Sequence, residues 1–148
     1  MKPDVDRLLE VAAVELIGKI APALPTHYEQ SNASALGALL LATREEFERG
    51  AARRIEENAA LRGLFAEARA AVADADLRTR LDEAARGVDE DFTIGALEAA
   101  NAALRGLLVE LHAHVEELDT PAARRLDEAI WSELVASTER RRLSLSFF

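Results

Sequence analysis

Two of the chain's three histidines sit close together in "LLVELHAHVEELD", residues 107 to 119, among carboxylates. Imidazole beside carboxylate is the pairing used for metal ligation and proton transfer, so chemistry is sought here first. The spacing argues against a shared ion. His112 and His114 are two residues apart, a rotation of about 200° on a helix, so their rings diverge. Each has its own acids: Glu116 follows His112 by four residues, while Glu110 and Glu117 lie near His114. A hemerythrin-like iron site needs several further histidines, and only His27 remains. The Glu-x-x-His pairs of ferritin-like di-iron bundles do not occur either. His27, His112 and His114, brought from different helices, are the candidate ligands of a metal-dependent enzyme. The spacing favours polar residues flanking a packed face, with no metal and no cofactor expected.

Other chemistry is thinner still. There is no cysteine, which removes disulfides, thiolate catalysis and cysteine metal sites. No serine lies in a glycine-rich elbow, and no glycine loop could cradle a phosphate. "REE" at 44–46 and "RRIEEN" at 53–58 read as solvated helix faces. A net charge of −9 repels polyanions, so nucleic acid is not an expected partner. The start, "MKPDVDRLLEV", has acids where a signal peptide needs a basic flank and an apolar run. No apolar run reaches the ~18 residues of a membrane span. A cytoplasmic protein is expected, and thirty alanines with sixteen arginines against two lysines suggest a GC-rich bacterial genome.

Alanine loses no side-chain entropy in a helix, and no stretch alternates with period two. The expected fold is all-α: one domain over residues 1–148, an up-and-down bundle of five to six helices with one long central helix. Asp4 opens a first helix that Pro22 stops. Thr26 and Glu29 form a capping box for a second helix, about residues 27 to 58, with Leu36, Leu40, Thr43, Phe47, Ala51 and Ile55 on one core-facing side. Gly37 and Gly50 weaken it, which suggests close helix contact or a kink there. Asn58 caps a shorter segment, "DAD" restarts the chain, and Gly87 ends "LRTRLDEAARG". Thr93 or Asp91 caps the next helix, and Thr120 with Pro121 starts the last.

The helix after Thr93 carries a heptad pattern. Ile94, Asn101, Leu108 and Val115 fall at one seam position, and Leu97, Leu104, Leu111 and Leu118 at the other. That is a knobs-into-holes face, serving either a core or an interface. Asn101 within it is either a register device, because a buried amide must find a partner, or a residue simply exposed at a loose helix start.

The first fifty residues resemble an uncharacterised family of small helical bacterial proteins, encoded near aminoglycoside-phosphotransferase-like kinases and acyl-CoA dehydrogenases. The residues concerned are "RLLEVAAVEL", the "APAL" ending the first helix, and the run from "HYEQSNASALGALL" to "REEFERG". They are packing patterns, and they cover about a third of the chain. The resemblance implies an accessory role near a kinase or an acyl-CoA pathway, with no active residues to carry over.

A non-enzymatic helical protein is therefore expected, acting through protein–protein binding as a homodimer or accessory subunit. The surfaces suspected are the seam and the apolar tail with Phe147 and Phe148. The alternative is a bundle enclosing a small apolar, acyl-like ligand lined by Phe47, Phe65 and Trp131. A metal enzyme built on the three histidines comes third.

Overall fold

The computed structural model describes residues 4–144, so Phe147 and Phe148 lie outside the described residues. Those residues form helices and their connections, with no strand among them. Helix α1, Val5–Glu15, runs through one π-helical turn, Leu16–Ile20, into Ala21–Ala23. Then come α2 (His27–Ala68), α3 (Ala75–Arg86), α4 (Ile94–Glu116) and α5 (Pro121–Arg141). The fold is all-α, and none of these helices is long and apolar enough to cross a membrane.

The helix starts follow local chemistry. The Thr26 backbone N–H and hydroxyl both donate to Glu29 Oε2, and Thr26 Oγ1 accepts from the Glu29 N–H, completing the capping box. Asp74, Thr93 and Thr120 each accept from a first-turn N–H, of Leu77, Ala96 and Ala123. Asp91 serves too, by accepting from the Thr93 N–H at 2.8 Å.

Three boundaries differ from the sequence expectation. Pro22 does not stop α1 directly. The turn before it widens, with the Ala21 N–H reaching Leu16 O, and the helix ends one residue later. Gly87 ends α3 in an extended conformation (φ −63°, ψ 154°), not the left-handed one. Asn58 is no cap: α2 runs unbroken for 42 residues, about 63 Å at 1.5 Å per residue. No glycine–proline break occurs near residue 58, and the Asn58 side chain is spent on tertiary partners.

The chain divides into two compact units, Met1–Gly50 with Leu143–Phe148, and Ala51–Arg142. In the second, the later half of α2 packs with α3, α4 and α5 around one leucine-rich core. Leu61 and Phe65 of α2, Leu81 of α3, Leu111 and Val115 of α4 and Ile130 of α5 are all nearly or wholly buried in it. A Leu104→Ala or Leu111→Ala variant should lose about 2–5 kcal/mol of stability by opening a cavity there, readable by urea denaturation.

In the first unit, α1 and the start of α2 form a hairpin. A Cβ on Gly37 would lie 2.5 Å from Ile17 Cγ1 and 3.1 Å from Ala13 O, so this glycine permits the close approach. Arg44 pairs with Glu10 at 3.6 Å, so the two helices run antiparallel. Gly63 and Gly106, in contrast, have nothing within 4 Å of an added Cβ. Gly63→Ala and Gly106→Ala should each add about 0.5–1 kcal/mol from helix propensity. Gly37→Ala should lower the melting temperature despite the same gain, because a backbone carbonyl and the root of Ile17 stand in the way.

Candidate functional site: an uncovered apolar flank and a buried carboxylate

The described residues of the first unit bury only Ala13, Ala21, Ala33, Gly37 and Gly50. No large side chain is among them. Val5 is 42% exposed, Leu8 56%, Leu36 55%, Leu39 63% and Phe47 55%. With Ala13 and Gly37 facing each other, 100° per residue sets the rest of both helices. Val5 and Leu8 of α1 then fall on the same flank of the hairpin as Leu36, Leu40 and Phe47 of α2. The opposite flank carries Arg7 and Glu10 of α1 and Ser31 and Glu45 of α2. From Gln30 to Thr43 no residue is charged. Leu36, Thr43 and Phe47, which their periodicity assigns to a core, are thus exposed. The period identifies a face but not what covers it.

The seam of α4 lies within the second unit. Leu97, Asn101, Leu104, Leu108, Leu111 and Val115 are buried there, and Leu118 packs partly buried against the same cluster. Ile94 stays 40% exposed. The histidines are not gathered. His27 belongs to the first unit, and no group of three or more potential ligands forms among the described residues. His112 Nε2 lies 2.9 Å from Asp127 Oδ1 on α5, nearer than Glu116 at 3.7 Å, and its ring meets Trp131 edge-on. His114 Nε2 is buried with no hydrogen-bond partner. The three aromatics proposed to line a ligand cavity are also dispersed. Phe65 is wholly buried among leucines, while Trp131 and Phe47 are each more than half exposed.

The feature that sequence reasoning missed lies in "RRIEEN". Glu57 is not on a solvated face: its side chain is 1% exposed. Its Oε1 accepts from Arg105 Nη1 at 2.6 Å and from Ser137 Oγ at 2.9 Å, and its Oε2 accepts from Arg141 Nε at 2.9 Å. Arg141 also donates to Asn101 Oδ1, and Asn101 Nδ2 donates to Asn58 Oδ1, both at 2.9 Å. Asn58 then donates to Asp89 Oδ1, on which Arg62 closes a two-pronged pair at 2.6 and 3.0 Å. One connected chain thus joins α2, α4, α5 and the α3–α4 connection. Burial pushes the Glu57 carboxyl up, but the bonds from Arg141, Arg105 and Ser137 outweigh it and hold the group below its ordinary 4.5. The Arg62 guanidinium likewise holds Asp89 below its ordinary 3.8, against burial and with help from Asn58. The one sequence clue was Asn101, an amide in a leucine seam.

Comparisons with models of protein families, with curated proteins and with solved structures found no match.

A carboxyl held below its ordinary value stabilises the fold fully above that value, and the contribution is lost as pH falls through the folded one. Stability should therefore be level near neutrality and decline below about pH 5. Glu57→Gln should cost about 2–4 kcal/mol at pH 7, less than a fully buried pair because both arginines keep some water. The gap between variant and parent should narrow as the pH falls toward about 2, measured by urea denaturation across that range.

Proposed function

We propose that the protein works by binding another protein surface, with no catalysis of its own, through the apolar flank of the α1–α2 hairpin. The observation carrying this reading is a contrast between the units. The second gathers its leucines and Phe65 into a core, leaving Phe92, Val109 and Trp131 outside it, while the first buries no large side chain and leaves Leu8, Leu36, Leu39 and Phe47 each more than half exposed. Covering apolar surface gains about 25 cal/mol per Å², and an exposed patch of this kind is how binding sites present themselves. The groups capable of chemistry support the same reading. Both Glu57 oxygens are engaged by Arg105, Ser137 and Arg141, and His112 is engaged by Asp127. An accessory subunit near a kinase or acyl-CoA dehydrogenase is what the resemblance of the first fifty residues favours. The cysteine-free, acidic composition favours a cytoplasmic setting.

The test is occupancy of the flank in native cells. A photoreactive phenylalanine analogue replacing Leu39 should give a discrete protein adduct on illumination. The same analogue at Val109, equally exposed but on α4 of the second unit, should not. No adduct at position 39, or the same adducts at both, would overturn the reading.

A further inference from the structure

The exposed stripe of α2 reads the same in both directions. Its uncharged residues are Tyr28, Asn32 and Leu36, then Leu39, Thr43 and Phe47, with Glu29 and Glu46 on the same arc near its two ends. About a centre between Gly37 and Ala38, Leu36 mirrors Leu39, Asn32 mirrors Thr43, and Tyr28 mirrors Phe47. All six are exposed. At 100° per residue they fall within an arc of about 100°, so they form one stripe. The spacing from Asn32 to Thr43 is four, three, four, the step of a helix–helix seam.

An antiparallel twofold contact brings position i of one helix against the mirrored position of its twin. Here the meetings nearest the axis join leucine with leucine and small polar with small polar, and further out aromatic with aromatic, while Glu29 and Glu46, also mirrored, meet as acids at the two ends. We infer that this stripe pairs with the same stripe of a second copy, antiparallel, with the twofold axis beside Gly37 and Ala38. The inference rests on the binding reading above and names its partner.

Charge points the same way. In a twofold contact any charge near the axis meets its own copy, and the run from Gln30 to Thr43 carries none, although the chain as a whole is at −9. An acidic or basic partner surface would gain nothing from this flank.

Sedimentation equilibrium on the purified chain should give twice 16.1 kDa, falling to one chain mass only on strong dilution. Leu36→Glu with Leu39→Glu should raise the dissociation constant at least about a hundredfold while circular dichroism keeps the helix signal. The chain has no cysteine, so register can be read with milder changes. Mixed Asn32→Cys and Thr43→Cys copies should form a disulfide-linked dimer faster than either variant alone. A single-chain mass at every concentration would overturn the dimer, and an adduct from position 39 to a different protein would then leave the binding reading standing. A dimer that survives the double glutamate change, or in which Asn32→Cys links fastest to itself, would overturn this pairing.

Discussion

The second unit is organised by one carboxylate. Glu57 is held out of water, and a buried charge is tolerated only when its lone pairs are satisfied with good geometry. Satisfying them requires Arg105 from α4 and both Ser137 and Arg141 from α5 at fixed positions beside α2. Leucine contacts alone would not impose this, because apolar burial is nearly indifferent to direction. Sliding α4 by one residue shifts it 1.5 Å and turns it by 100°, which keeps some leucines covered but removes Arg105 and Asn101 from their partners. The alignment of three helices thus follows from hydrogen bonds, and the leucines supply the bulk of the burial around them.

The hairpin of the first unit lacks both devices. Its helices meet through Ala13, Ala33 and Gly37, which permits close approach but removes little apolar area from water. Ile17 packs against Gly37, while Leu8, Leu36, Leu39 and Phe47 stay more than half exposed. Alanine gives these helices their propensity and at the same time denies them a core. What the hairpin gains from packing therefore depends on covering Leu8, Leu36, Leu39 and Phe47.

The sequence made some of this legible. Caps could be read because they are local: Thr26 with Glu29, Thr93 and Thr120 act within one turn of themselves. The α4 seam could be read because its leucines repeat without a break. The role of Asn58 was hidden because asparagine favours helix starts, and its partners are 31 and 43 residues away. Glu57 was hidden more deeply. It sits in a run of charges, and nothing local separates it from Glu56, which stays exposed. Its burial is set by arginines from the far half of the chain. Arg141 lies in a terminal "RRR" that looks like a solvated helix end, yet it donates to Glu57.

The exposed stripe of α2 failed to announce itself for a different reason. Amphipathic periodicity arises wherever a helix face is covered, whether the cover is the same chain or another. Charge gives the finer discrimination. The covered face of the second unit's α2 is crossed by Arg53, Glu57 and Arg62, whose partners must lie at fixed places in the same chain. From Gln30 to Thr43 the stripe carries no charge, so nothing of that kind marks which side of it faces the rest of the fold. A helix 42 residues long can carry both kinds of face in succession, one whose charges demand partners in the fold and one whose large side chains stay exposed.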